Sequence, residues 1–357
     1  MRTATKKVNI GGVVIGGGEP IAIQSMTNVS SRDKEALIKQ ISELEDAGCE
    51  IVRIAIPDSE SAEVLREVKK EVKLPIVADI HFDYRLAIAS ILSGADKIRI
   101  NPGNIGDIEN VRAVVREAKT AGIPIRVGVN SGSLEKDILE KYSGATAEGL
   151  AESAIRNLRL IEDMGFDDLV VSLKSSNVVM NYEAHKIVAE NTDHPIHIGV
   201  TEAGTIRRGK IKSAVGIGAL LLEGIGDTMR VSLTSNPVNE VIFANELLET
   251  VGMRMPAYDL VSCPTCGRTK INLEALADKV DEELLSLGGL RKGLKIAVMG
   301  CAVNGPGEAR GADYGIAGGE GKGIIFSKGE IIKSAYEEDL IEEFLALIKA
   351  EEGIETA

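Results

Sequence analysis

The chain has 357 residues, 44% hydrophobic and 27% charged, which suits a folded globular protein with one large domain and a smaller one. A net charge of −13 and an aromatic content of 3% with no tryptophan exclude non-specific nucleic-acid binding and leave no stacking platform for bases. No apolar run reaches the length of a membrane span, and Met1-Arg2-Thr3-Ala4-Thr5-Lys6-Lys7 lacks the apolar core of a signal peptide, so a small-molecule partner in a reducing cytoplasm is expected.

In chain order, Val8–Ile10 and Val13–Ile15 flank Gly11-Gly12 and read as a hairpin suited to capping a barrel floor. Eight short β-branched runs follow, at 20–27, 50–56, 75–81, 97–101, 124–130, 168–174, 195–201 and 227–234. Between them lie segments with helical apolar spacing, at 34–47, 59–71, 108–121, 147–164 and 237–251. Several close on a glycine (Gly48, Gly122, Gly165), as helix C-termini do. Strict alternation predicts parallel strands, and eight units over residues 1–252 predict an α/β fold of the (β/α)8 barrel type; a doubly wound sheet is the alternative arrangement of the same units.

The predicted strands carry charge where a doubly buried strand should read as continuous Val, Ile and Leu. Arg53, Arg99, Arg126, Lys174 and Arg230 each interrupt an apolar run. A buried cation is costly unless it is paired or faces a wet cavity. Polar residues gather towards the strands' C-terminal ends: Asp79, His81, Asn101, Asn130, Ser131, Ser172, Ser175, His197, Thr201, Glu202, Ser232 and Thr234. In barrels that face holds the active site. Converging cations suit a ligand with several negative charges, and arginine forks suit phosphate oxygens, so a diphosphate site is expected. Gly16-Gly17-Gly18 and Gly216-Ile217-Gly218 lack a phosphate-loop lysine and read as turn and packing glycines; His185 and His194 read as packed or solvated.

Residues 258–357 are expected to form a smaller α+β domain, with a helix over 273–287, strands at 295–299, 314–317 and 324–327, and an amphipathic terminal helix across 336–352. This domain carries Cys263-Pro264-Thr265-Cys266 and Cys301-Ala302-Val303-Asn304-Gly305-Pro306-Gly307-Glu308. Three thiolates and one non-thiol position suit an iron–sulfur cluster with one reactive iron. The other reading is structural zinc, but no second C-x-x-C is present and no histidine lies beyond His197. Cys49 sits where a helix turns into a strand, an ordinary place for a small buried thiol.

The residues also carry a resemblance that covers nearly the whole chain. It runs through Gln24-Ser25-Met26-Thr27, Ala78-Asp79-Ile80-His81-Phe82, Arg99-Ile100-Asn101-Pro102-Gly103-Asn104, Gly128-Val129-Asn130-Ser131-Gly132-Ser133-Leu134-Glu135 and His197-Ile198-Gly199-Val200-Thr201-Glu202-Ala203-Gly204. The most specific parts are the two cysteine motifs, the second read from Met299 to Ala309. The chain resembles the bacterial 4-hydroxy-3-methylbut-2-enyl diphosphate synthases of the non-mevalonate isoprenoid pathway. That resemblance implies a [4Fe–4S] cluster on Cys263, Cys266, Cys301 and Glu308. It also implies reductive ring opening and dehydration of 2-C-methyl-D-erythritol 2,4-cyclodiphosphate, with two electrons from flavodoxin or ferredoxin. Arg53, Arg99, Arg126, Lys174, His197 and Arg230 are then expected to hold the substrate with Asn130 and Ser131, and Lys212 is a less secure addition. Glu202 is the expected proton donor, with His81 or His197 behind it. A head-to-tail homodimer, one chain's cluster domain over the other's barrel, is the arrangement the family implies. A non-redox barrel enzyme for a phosphorylated or pterin-like ligand, with zinc in the C-terminal domain, is the rival reading.

Overall fold

The computed structural model describes residues 2–287, 289–301, 309 and 311–354. The chain divides into two compact units, Met1–Met253 and Arg254–Ala357.

The first unit opens with the antiparallel hairpin β1 (Val8–Ile10) and β2 (Val13–Ile15). Eight parallel strands follow: β3 (Ala22–Met26), β4 (Ile51–Ala55), β5 (Ile76–Asp79), β6 (Lys97–Ile100), β7 (Ile125–Asn130), β8 (Leu169–Lys174), β9 (His197–Ile198) and β10 (Thr228–Met229). Each pairs with its neighbours in chain order, β10 returns to β3, and a parallel bridge between Val171 and Ile196 joins β8 to the start of β9. The expected (β/α)8 barrel is therefore the fold.

Capping chemistry cuts the helices cleanly. Asp33, Asp58, Asp83, Asp107, Thr146, Asn177 and Asn236 each accept a hydrogen bond from a backbone N–H in the first turn of the helix they precede. These short side chains satisfy donors that a helix start leaves without partners. The helices are α1 (Lys34–Asp46), α2 (Ser59–Lys69), α3 (Tyr84–Leu92), α4 (Ile108–Ala121), α5 (Lys136–Lys141), α6 (Ala147–Glu162), α7 (Val178–Asn191), α8 (Ile206–Leu222) and α9 (Pro237–Thr250).

Strand alternation separates two environments. Ile98, Ile100, Ile125, Val127, Leu169 and Val171 join the apolar layer between strands and helices. Their neighbours face the barrel axis, where Ala22, Ile51, Val77 and Val170 pack on Val8, Ile10 and Ile15 of the hairpin. The hairpin thus seals the floor, and the remaining inward positions belong to the site.

Two strands are shorter than their runs suggest: β9 and β10 occupy only two residues each of 195–201 and 227–234. Acceptors outside the ladder take the flanking N–H groups. The Asp227 carboxylate receives Ile196 N–H at 2.9 Å, Glu240 receives Leu233 N–H at 2.8 Å, and Gly204 O receives Thr234 N–H at 2.9 Å.

The second unit is a five-stranded sheet in the order β11 (Tyr258–Ser262), β12 (Leu294–Met299), β13 (Tyr314–Ala317), β14 (Lys322–Ser327) and β15 (Glu330–Tyr336). The first three run parallel and the last two antiparallel. α10 (Leu273–Ser286) and α11 (Leu340–Glu352) pack Val280, Leu284, Phe344 and Ile348 against Ile296, Val298 and Ile325. The expected terminal helix begins at Leu340 rather than 336, and β15, which ends at Tyr336, was not expected. As an edge strand it exposes Ile331, Ile332 and Tyr336, so its apolar residues follow neither a helical stripe nor a buried alternation.

Candidate active site and thiol group

The inward strand positions above the floor bring six basic side chains together: Arg53, Lys97, Arg99, Arg126, Lys174 and Arg230. Five were expected from the sequence. Lys97 was missed, although it alternates with Arg99 on the same strand and therefore points the same way. Among the described residues two buried carboxylates oppose them. Asp79 lies 3.3 Å from Arg99 Nη1, 3.8 Å from Arg53 Nε and 3.4 Å from His81 Nε2. Glu240, on α9, lies 3.3 Å from Arg230 Nη2.

The other partners are weak. Arg53 Nε and Nη2 donate to the thioether of Met26 at 3.1 and 2.9 Å. Arg126 Nη1 donates to Gln24 Oε1 at 3.3 Å, while its Nε and Nη2 are buried with no partner among the described residues. Two glycines make room for these side chains: a Cβ at Gly128 would collide with the Arg99 guanidinium, and one at Gly199 would stand 2.7 Å from Arg230 O and 3.9 Å from Lys174 Nζ.

The electrostatics follow from burial and crowding. Desolvation, then the neighbouring guanidiniums, pushes Lys174 and Arg126 well below their usual values, and burial lowers Arg53 to about 10 despite Asp79. Burial works against the charge on Asp79, but Arg53, His81, Arg99 and Arg126 outweigh it and hold this carboxyl far below the ordinary range. A multiply charged anion would relieve this uneven balance at once.

The other expected residues divide into mouth and interior. His81 is exposed just beyond β5 with Nε2 towards Asp79, and Asn130 and Ser131 sit half-buried at the end of β7, with Ser131 Oγ 3.4 Å from Ser175 Oγ. Glu202, in the loop after β9, is exposed with φ +51, a left-handed conformation that glutamate rarely adopts and that marks functional loops. His197 is not at the mouth. It is fully buried near the start of its short strand, its Nδ1 is 2.8 Å from Thr228 Oγ1, and burial followed by Arg126 and Lys174 pushes its value well down, so it stays neutral. Lys212 stands exposed on α8, away from the inward strand positions. His185 and His194 are fully buried, on Asn181 O at 2.6 Å and Glu162 Oε1 at 2.8 Å. Glu240 had no signal in the sequence, because its partner Arg230 is reached only once α9 folds back on β10. A surface hollow of about 750 Å³ beside α6, lined by Tyr142, Ile155 and Leu160, gathers no comparable buried charge.

In the second unit, neighbouring parallel strands β11 and β12 end together, Ser262 in register with Val298. Cys263 follows one and Cys301 the other, and Gly300 N–H donates to Cys263 Sγ at 3.3 Å. Cys266 is exposed, and hydrogen bonds from Arg268 N–H and the Thr269 hydroxyl lower its thiol value. All three thiols are free, and Cys263 and Cys301 stand just past the ends of neighbouring strands, so the sheet presents soft sulfur donors at one end. That set suits an iron–sulfur cluster. Glu308, the expected fourth ligand, lies outside the described residues. Cys49 is buried, bonded to Ile51 O at 3.1 Å and pushed up to about 12 by burial, the state of an unreactive thiol.

Residues 5–245 match the GcpE TIM-barrel domain and residues 259–350 match the GcpE protein C-terminal domain. The chain belongs to the GcpE family. It is 54% identical over 98% of both chains to a 4-hydroxy-3-methylbut-2-en-1-yl diphosphate synthase (flavodoxin) of Caldanaerobacter subterraneus, and 55% identical over 98% of both chains to the enzyme of that name in Fusobacterium nucleatum. Among solved structures it is similar to a Yersinia pestis dihydropteroate synthase at TM-score 0.51 and 12% identity, over 69% of this chain and 98% of that one, a likeness of barrel fold alone. GcpE proteins are oxidoreductases of isoprenoid biosynthesis with a metal-cluster cofactor. No helix among the described residues is long and apolar enough to cross a membrane.

Proposed function

We infer that this chain opens 2-C-methyl-D-erythritol 2,4-cyclodiphosphate reductively to 4-hydroxy-3-methylbut-2-enyl diphosphate, with reduced flavodoxin as electron donor. Cyclodiphosphate dianion, two electrons and one proton give the linear diphosphate trianion and water. The observation that carries the reading is the imbalance inside the barrel, six basic side chains against two carboxylates among the described residues. Arg53, Arg99, Arg126, Lys174 and Arg230 hold the two phosphates, and guanidinium forks fix both non-bridging oxygens of each. Asn130 and Ser131 orient the carbon skeleton from the rim.

Water leaves only if its oxygen is protonated, and Glu202, exposed in the loop after β9 with a left-handed backbone, is the proposed donor. His81, steered by Asp79, is the second candidate. His197 takes a supporting role beneath them. The proposed cofactor is a [4Fe–4S] cluster on Cys263, Cys266, Cys301 and Glu308, which supplies single electrons at low potential and a Lewis-acidic iron that amino acids cannot provide.

The proposed assembly is a homodimer in which each copy's C-terminal unit serves the partner's barrel, in the cytoplasm where thiols remain reduced. An apolar stripe on α8, with Ile211, Val215 and Leu222 exposed, gives such a dimer a face to bury. Anaerobic turnover followed by phosphorus NMR tests the reaction: conversion of the cyclic to the linear diphosphate with reduced flavodoxin is expected. A colourless, zinc-loaded protein that leaves the ring intact would refute it. Mixing Cys301→Ala chains with Arg126→Met chains tests the assembly. Restored turnover supports sites shared between copies, and mixtures no better than the parents place each site within one chain.

A further inference from the structure

Lys97 has no role in the reading above, and its surroundings are unusual for a lysine. It opens β6 on the inward face and is fully buried, and its Nζ has no hydrogen-bond partner among the described residues. Every element around it can be checked for a counter-charge. On β5 it is in register with Val77, and the next inward residue, Asp79, is already shared by Arg53, Arg99 and His81. From β7 and β4 it faces Arg126 and Arg53, both cations. From β9 the neighbouring titratable group is His197, itself held neutral. The floor hairpin offers Val8, Ile10 and Ile15. Its chain neighbour Asp96 is committed to Lys69 Nζ and the Ile76 N–H, and Glu240 is taken by Arg230.

A buried ammonium facing two guanidiniums with no anion in reach is not a stable arrangement. Guanidinium does not release its proton, so the relief falls on an amine, and of the two amines, Lys97 and Lys174, it is Lys97 whose Nζ is buried without a partner among the described residues. We propose that Lys97 stands as an uncharged amine in the ligand-free barrel and takes a proton from solvent when a diphosphate fills the mouth. The inference rests on the proposed diphosphate site. Phosphate oxygens on Arg126 and Arg53 offset the two charges that Lys97 faces, and the ammonium then becomes tolerable.

The effect should grow across the reaction. Opening the ring turns a phosphate bonded through two oxygens into a terminal one, which has a second ionisation near pH ~6 and adds a negative charge at neutral pH. Lys97 therefore balances the barrel's charge against a dianionic substrate and a trianionic product, while the arginines keep theirs throughout.

Calorimetry on the holoprotein without reductant tests this, titrating the cyclodiphosphate and then the linear product in buffers of different protonation heat. Expected are net proton uptake by the wild type, larger for the product, and loss of that uptake in Lys97→Met. Binding with no proton uptake in the wild type, or equal uptake in Lys97→Met, overturns the proposal. Absence of any binding would instead count against the diphosphate site itself. The ligand-free proteins give an independent readout. If Lys97 is neutral when folded, the unfolded chain binds a proton that the folded one does not, so stability rises with pH towards the ordinary lysine value of about 10.4. The Tm of the wild type should climb relative to Lys97→Met between about pH 7 and pH 10. Parallel profiles would overturn the proposal even if the variant bound no ligand.

Discussion

The two units keep their chemistry in opposite places. In the barrel it lies inside the strands: Arg53, Lys97, Arg99, Arg126 and Lys174 occupy core positions of β4, β6, β7 and β8. In the C-terminal sheet, β12 and β13 are apolar wherever they are buried, and the thiols stand just past the strand ends. On the proposed assignment, the difference follows from the ligands each would hold. A polyanion is held by charge, and charge is strongest where water is excluded, so the barrel accepts the desolvation cost of its interior. A cluster is held by covalent bonds to sulfur, which need geometry rather than a field, so a rigid apolar sheet that delivers two strand ends together suffices.

The largest effect should come from the thiols. Cys301→Ala should abolish turnover and remove the visible absorbance of a cluster; a fully coloured, active variant would remove Cys301 from the site. Next come the guanidiniums. Arg99→Met should lower kcat/KM by tenfold to a hundredfold, at about 1.5–3 kcal/mol for a hydrogen bond to a charged group, and turnover kinetics at fixed flavodoxin would measure it. An unchanged value would contradict phosphate contact.

Asp79→Asn acts on stability instead. It leaves Arg53 and Arg99 without their shared carboxylate and should cost about 3 kcal/mol in urea unfolding. Because the folded Asp79 value lies below the ordinary carboxyl value of about 4, its contribution is present above that pH and is lost only as acid titrates the folded protein. The wild type should therefore lose stability relative to Asp79→Asn only on going to strongly acidic pH.

The inward glycines make a finer contrast. Gly128→Ala presses on a side chain, Arg99, and should raise KM with little change in Tm, whereas Gly199→Ala presses on the Arg230 carbonyl and should lower Tm. If both behave alike, the space at Gly128 is not for Arg99. Cys49→Ala should do least, keeping turnover and losing about 1 kcal/mol of packing.

Much of this was legible in the residues. The runs around Arg53, Arg99 and Arg126 break the apolar pattern of a parallel strand, so both the barrel and its charged interior left a trace. The same alternation reaches Lys97, whose position at the head of its run made it look like a strand boundary. Glu240 was invisible as a partner because its contact depends on how α9 approaches Arg230, and Met26, in register with Arg53 on the neighbouring strand, was overlooked because a thioether carries no charge. His197 was placed too high because its run continues to Thr201, whereas the ladder ends at Ile198. β15 left no trace because an exposed edge strand has no buried face to set its period.

The division of labour between the units is tested most directly by measuring iron, sulfide and cyclodiphosphate binding on the same two variants. Arg126→Met should keep wild-type iron and sulfide and lose ligand affinity, while Cys301→Ala should lose the iron and still bind the cyclodiphosphate. Loss of the cluster in Arg126→Met with ligand binding intact would contradict a barrel that holds the anion and a sheet that holds the metal.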